Sequence, residues 1–186
     1  MKVSRSTVLW KNASGTSLEY STLCCHEHGF AFDGTIIMLL EDLPTKVTYS
    51  IKGDCNWHTK QAAILQEQPR KTSQLTLTVD GNRRWYASSA PLPLVESLFD
   101  VDLEVSPATN TLSINRLHLA IGQSQETDAV WVRFPSLTIE RLKQKYTRLS
   151  ERCYGYEAPT LGFKAQLEVN PSGLVTRYGE LWKQIP

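Results

Sequence analysis

Apolar and polar residues alternate with a period of two along much of this chain, and turn residues cut the alternation at short intervals. No other feature constrains the fold as strongly. Val47, Tyr49 and Ile51 share one face of Lys46–Ile51, and Leu75, Leu77 and Val79 share one face of Gln74–Val79. That period belongs to a half-buried strand, because successive side chains of an extended chain point to opposite sides. Further strands are expected at Leu18–Cys25, followed by a turn at His28-Gly29, and from Gly34 to Glu41, with Leu43-Pro44 as the break. Asp54 and Asn56 mark a turn before Trp57–Leu65. Asp80-Gly81-Asn82 reads as a hairpin turn in which Gly and Asn take positive φ, with Trp85-Tyr86 beginning the return strand. Val130–Phe134 is strand-like up to Pro135, and Gly162–Val169 with Leu174–Tyr178 form a hairpin around Asn170-Pro171-Ser172-Gly173. Turns at such even spacing favour a meandering sheet closed around something.

A chain of 186 residues fits one domain spanning 1–186, large enough for a substantial core. Its formal net charge of +1 supplies no field to steer phosphate-rich partners, so nucleic acid is not an expected partner. The stretch MKVSRSTVLWKN has basic residues without an apolar run behind them and does not read as a signal peptide. The longest apolar run, Ile36–Leu40, is too short to span a bilayer. The expectation is a cytoplasmic protein without stable membrane insertion. Its cysteines, Cys24, Cys25, Cys55 and Cys153, are then expected as reduced thiols, with one of the adjacent pair Cys24-Cys25 in the core and the other outside.

Two segments resist the strand reading. Ile139, Leu142, Tyr146 and Leu149 recur at helical spacing, which by itself argues for an amphipathic helix from Thr138 to Glu151. Against it, Thr138, Ile139, Tyr146 and Thr147 favour strands. In Ser106–Ile121, Thr109 or Asn110 is a good N-cap, since its side-chain oxygen can accept a free backbone N–H of a first turn. Ile114, Leu117 and Ile121 would make a helical stripe, whereas Leu117, Leu119 and Ile121 would suit a strand. A short helix starting at the cap and ending near Leu119 is the favoured reading.

The densest polar cluster is Asp100-Val101-Asp102-Leu103, followed by SPATNTLSINRL from Ser106 to Leu117. On a strand, Asp100 and Asp102 share one face about 7 Å apart. Such a distance suits an inverting glycosidase, but those carboxylates must flank the scissile bond, and neighbours on one strand point the same way. A structural role fits better. An inward carboxylate needs donors or a cation, and Arg116 supplies a planar fork of donors. Asp102 or Asp100 is expected to pair with Arg116 and pin the helix to the sheet. Cys24–His28, CCHEH, has neither the CxxC nor the HExxH spacing of a zinc site and is read as a solvated strand end, with no metal or cofactor expected. No GxSxG elbow, Walker A loop or GxGxxG motif occurs. Trp57, Trp85 and Trp131 are candidates for inward-facing aromatic surface, able to line an acyl pocket or stack on a sugar.

DVDL with SPATNTLSINRL resembles the segment DVDL…TPFTNTLPIRRL of a bacterial glycolipid-binding family. Asp54-Cys55-Asn56-Trp57-His58-Thr59-Lys60 is similar to its D..W.TR pattern, and Gln144–Leu149 to its QRYTRL. Tyr154-Gly155-Tyr156-Glu157, Gly173-Leu174-Val175 and Tyr178 follow in the same order. The resemblance covers nearly the whole chain. It implies a mainly β fold: a long antiparallel sheet wrapped as a spiral β-roll around one short α-helix, often dimeric, similar to the architecture of periplasmic lipoprotein carriers. It also implies a strand over Thr138–Leu149. This chain departs from the pattern at Lys60, Ser106, Ala108, Ser113 and Asn115, where the family has Arg, Thr, Phe, Pro and Arg.

The resulting expectation is non-enzymatic binding of a lipid or glycolipid-like molecule between the concave face of the sheet and the helix. Trp57, Trp85, Asp100, Asp102, Thr109, Asn110, Arg116, Trp131 and Tyr146 are the candidate ligand-facing residues, and no catalytic residue is assigned. Two alternatives stand beside it: a small-molecule enzyme using Asp100, Asp102 and Arg116, and a structural or dimer-forming protein without a ligand.

Overall fold

A computed structural model describes residues 4–185. Its first half is a meander of β1 (Ser4–Asn12), β2 (Ser17–His26), β3 (Gly29–Leu40), β4 (Leu43–Gly53), β5 (Thr59–Gln68), β6 (Lys71–Val79), β7 (Trp85–Ala87) and β8 (Ala90–Pro91). A 3-10 turn at Pro93–Val95 leads to β9 (Asp100–Leu103) and then to α1 (Asn110–Leu117). The second half runs through β10 (Ser124–Val132), β11 (Ile139–Ser150), β12 (Cys153–Ala158), β13 (Phe163–Val169), β14 (Val175–Tyr178) and β15 (Trp182–Gln184).

All of these strands join in one long curved sheet ordered β8 to β1, then β15 to β9. The seam between the halves is the antiparallel pair β1–β15, with Trp10 opposite Gln184 and Asn12 opposite Trp182. Among the described strands only β9 and β10 run parallel. The sheet's two edges, β8 and β9, are sequence neighbours, so the sheet must curl until its ends approach. The backbone N–H of Thr59 at the start of β5 donates to the carbonyl of Phe99 just before β9 (3.0 Å). This is the mainly β roll around a single short helix that the resemblance implied. No described helix is long and apolar enough to cross a membrane.

Burial follows the alternation. Val47, Tyr49 and Ile51 of β4 are buried while their neighbours are not. One apolar cluster fills the first half around Trp10, Phe32, Ile51, Trp85 and Leu112, and a second fills the other half around Tyr146, Tyr156 and Leu167. α1 lies inside the roll and touches the sheet through polar contacts on several strands. Thr111 Oγ1 accepts the N–H of Val175 on β14 (3.2 Å), and Tyr146 on β11 donates to Asn110 Oδ1 (2.8 Å).

Thr138–Leu149 is strand, not helix: β11 spans Ile139–Ser150. Leu142, Gln144 and Tyr146 are buried in alternation, while Leu149, which completed the helical spacing, is 51% exposed. Gln144, a polar residue on the buried face, is what hid the period of two.

Several local expectations need correction. The break between β3 and β4 is a two-residue turn at Glu41-Asp42, both left-handed (φ 52° and 63°). Pro44 sits inside β4 opposite Leu39, near the strand start where its missing N–H is tolerated. At Asp80-Gly81-Asn82 the positive φ falls on Arg83 (59°), not on Gly81 or Asn82. Asp80 Oδ1 builds that turn by accepting the N–H groups of Asn82 and Arg84 (both 2.9 Å). Thr109 precedes α1 but does not cap it; its hydroxyl accepts the N–H of Leu103 (3.2 Å). The helix stops at Leu117 because His118 turns left-handed (φ 44°), and Ile121 is exposed, so the Ile114–Leu117–Ile121 stripe does not form. Cys24 and Cys25 are both free and half-buried near the β2–β3 turn, and Cys25 packs against the first apolar cluster.

Candidate functional site

The two aspartates of β9 face the same way and meet different partners. Asp100, 1% exposed, receives Nε of Arg116 on both oxygens (2.9 and 3.0 Å), the terminal guanidinium nitrogen (2.6 Å) and Ser113 Oγ (2.7 Å). The expected pin therefore exists, between Asp100 and Arg116. Arg116 also donates to Thr127 on β10 (2.7 Å), and its guanidinium lies 5.0 Å from the Phe99 ring centre. Charge and hydrogen-bond demands are met internally, which closes this cluster.

Asp102 is a different case. Its Oδ2 accepts Gln144 Nε2 (3.0 Å), which also donates to the Tyr156 hydroxyl (3.1 Å). Oδ1 has no hydrogen bond among the described residues. Burial, with the nearby carboxylates of Glu104 and Asp100 adding to it, raises the Asp102 carboxyl to about 7 despite the Gln144 contact.

Asp102 lines a cavity of about 370 Å³ inside the second half of the roll. That volume lies within the usual range for small-molecule sites. Asn110 and Ser106 close the cavity from the helix side. Trp131, Tyr156, Phe163, Tyr178 and Trp182, from five different strands, form an aromatic wall. Phe163 and Tyr178 lie parallel within 11°, ring centres 5.9 Å apart. Leu161 and Leu181, 52% and 48% exposed, stand at the outer rim. Glu104 and Arg133 pair there at 3.0 Å, and the Arg133 guanidinium stacks 4.0 Å from the Trp131 ring centre. Burial pushes the Tyr156 and Tyr178 hydroxyls well above the usual phenol range, so they remain neutral donors.

Of the candidate ligand-facing residues, the fold brings Asp102, Asn110 and Trp131 to this cavity. Tyr146 lies behind it, fully buried against Asn110. Thr109 is buried on the backbone of Leu103, and Asp100 and Arg116 form the closed pair. Trp57 stacks on Phe30 in the first half (ring centres 4.8 Å apart), and Trp85 is a core residue whose indole N–H donates to Leu98 (3.0 Å). In CCHEH, Cys24–His26 end β2 and Glu27-His28 make the turn to β3.

Sequence reasoning missed two parts of the assembly. Phe163, Trp182 and Glu104 carry no motif and Tyr178 entered only through the family likeness; adjacent strands gather the aromatics, with Tyr178 opposite Trp182 in register. Glu19, fully buried on β2, was overlooked altogether. Its Oε1 accepts Tyr49 (2.6 Å), Ser106 (2.7 Å) and Ser21 (3.0 Å), and burial raises its carboxyl to about 7. Through Ser106, Glu19 fixes the loop before α1 from the opposite side to the Asp100–Arg116 pair. The alternation misled here, since Ser17, Glu19 and Ser21 take the buried face while the apolar Leu18 and Tyr20 are 44% and 51% exposed.

No curated protein matches this chain. Among solved structures, the crystal structure of a DUF1089 family protein from Pseudomonas aeruginosa superposes with a TM-score of 0.83 at 32% sequence identity. The match covers 91% of this chain and 92% of that one. A family profile described as "Putative glycolipid-binding" matches residues 7–184, a region that takes in all of the sheet except the start of β1, together with the helix and the cavity. The chain belongs to that family.

Proposed function

We propose that this protein is a non-enzymatic binder of a lipid or glycolipid-like amphiphile, held in the cavity between α1 and the concave face of β10 and β12–β15. The observation that carries this reading is the cavity's make-up: apolar and aromatic walls of about 370 Å³ with a few polar groups on the helix side. Small-molecule sites share that composition, with the apolar surface supplying affinity and the placed polar groups fixing orientation. The family description points the same way. An enzyme built on Asp100, Asp102 and Arg116 is disfavoured because Asp100 and Arg116 satisfy one another and only Asp102 reaches the cavity.

The test is native mass spectrometry of the protein isolated from its own host, with a thermal-shift screen of lipids and glycolipids. A co-purifying amphiphile, or a raised melting temperature that disappears in Ala158→Trp, is the expected result. Ala158 is a buried residue of the cavity wall, so the larger ring fills the space. If no adduct is found and no amphiphile shifts the melting curve, the reading fails.

A further inference from the structure

Asp102 and Asn110 lie at the buried end of the cavity, and Leu161 and Leu181 stand at its open end beside the Glu104–Arg133 ion pair. Asp102, Asn110 and Tyr156 are 8%, 4% and 3% exposed, whereas Leu161 and Leu181 at the rim are about half exposed. A pocket made for an acyl tail has the reverse arrangement, because an unpaired polar group at the bottom of an apolar slot is costly against hydrocarbon. We infer that the amphiphile binds headgroup first: the inner end, formed by Asp102 and Asn110 beside the Trp131 and Phe163–Tyr178 rings, is a subsite for an uncharged sugar ring, and the aliphatic part leaves past Leu161 and Leu181. This rests on the binding role proposed above and adds the class of headgroup and its direction.

The chemistry of the lining chooses among headgroups. A phosphate or carboxylate finds no cation whose charge is unpaired, since Arg133, the one basic residue of the described lining, is held by Glu104 at 3.0 Å and Glu140 at 3.4 Å and has only its Nε–H without a partner. Glu104 would repel it, as would Asp102 wherever it is ionised. A quaternary ammonium would suit the aromatic wall but has no donor for Asp102 and no acceptor for an indole N–H. Those indoles are informative. Trp10 and Trp85 spend their N–H groups on the carbonyls of Val175 and Leu98. Trp131 and Trp182, the two tryptophans of the cavity, donate no hydrogen bond to a described residue, and neither does Trp57 outside it. A ring of hydroxyls both donates and accepts, so it can use Asp102 Oδ1 and the indole donors together. Its C–H face can lie on an aromatic ring while its hydroxyls meet the polar groups. Asp102 in its neutral form, which burial favours up to about pH 7, likewise both donates and accepts.

Isothermal titration with small probes tests the orientation. The probes are the methyl glycosides of glucose, galactose, mannose and N-acetylglucosamine, octyl β-glucoside below its micelle concentration, decanoate, and octyltrimethylammonium. At least one methyl glycoside is expected to bind alone and to compete with octyl glucoside. Trp182→Phe, which keeps a smaller aromatic face and deletes the N–H, and Asp102→Leu are each expected to weaken it about tenfold or more. Folding of each variant is checked by its circular dichroism, and Trp182, being half-buried, is the safer change. If decanoate or octyl glucoside binds but no methyl glycoside binds or competes, the chain occupies the cavity; the inference falls and the binding role stands. Asp102-dependent binding of octyltrimethylammonium alone overturns it in favour of a cationic headgroup. If no probe binds and no lipid shifts the melting curve, both readings fall.

Discussion

Replacing Arg116 by leucine would strand a buried carboxylate, and the cost can be worked from the geometry. Asp100 is 1% exposed and Arg116 is 12% exposed, so water cannot readily take over from the guanidinium. In Arg116→Leu, Asp100 keeps one donor, Ser113 Oγ, and loses the bidentate fork. Thr127 loses its partner, and the contact with the Phe99 ring is lost. Breaking one partner out of a buried pair costs about 3–5 kcal/mol. For a chain of this size each kcal/mol moves the melting temperature by roughly 2–4 °C, so a loss of about 10 °C is expected. The double variant Asp100→Leu/Arg116→Leu removes both charges and should be clearly more stable than Arg116→Leu alone, because no uncompensated charge is left inside. Thermal unfolding followed by circular dichroism reads both quantities. A melting temperature unchanged in Arg116→Leu, or a double variant no better than the single one, would refute the argument that this pair anchors α1.

Other consequences follow from the same interior. Glu19 is raised from 4.5 to about 7 in the fold, so folding takes up a proton between those values: its contribution to stability is full below about pH 4.5 and lost as pH rises through 7. Urea unfolding of the native protein and Glu19→Gln at pH 4.5 and pH 7.5 should show a difference between the two proteins that changes by roughly 3 kcal/mol, and a pH-independent difference would contradict the assignment. Gly34 leaves no room for a side chain, because a Cβ there would collide with the Tyr49 ring that reaches Glu19. Gly34→Ala should cost about 1–3 kcal/mol, part of which Tyr49→Ala in the same protein should restore, and additive losses in the double variant would count against it. For β11, Leu142→Ala should cost about 2–5 kcal/mol while Leu149→Lys changes stability by less than about 0.5, as expected for opposite exposures on one strand; equal losses would revive the helix.

The strands were legible where burial alternates cleanly, as at Val47, Tyr49 and Ile51, because a period of two has one structural meaning. β11 was not legible by period, because its buried face carries Gln144 between Leu142 and Tyr146, and an exposed Leu149 supplied a false helical match. Only the resemblance to a family motif pointed to strand there. Turn residues fixed where the chain reverses but not which residue bears the strain: Arg83, rather than Gly81 or Asn82, takes the left-handed position, since Asp80 organises that loop with its side chain.

The site shows a deeper limit. Strand geometry places Asp100 and Asp102 on one face, and from sequence they therefore looked interchangeable as the partner of Arg116. What separates them is the position of a helix outside the strand. Ser113 and Arg116 lie three apart on α1 and together reach Asp100, whereas Asp102, two residues further along β9, meets Gln144 of β11 instead. One carboxylate thereby becomes part of the scaffold, and the other is left facing the cavity with one oxygen uncommitted. The aromatic wall opposite it comes from strands far along the chain, brought near by the curl of the sheet. Neither the register of helix on strand nor the direction of that curl is written in any local pattern. Both follow from where the Asp100–Arg116 pair and the Glu19–Ser106 contact hold the helix inside the roll, so the polar residues that carry no ligand decide which polar residue is free to meet one.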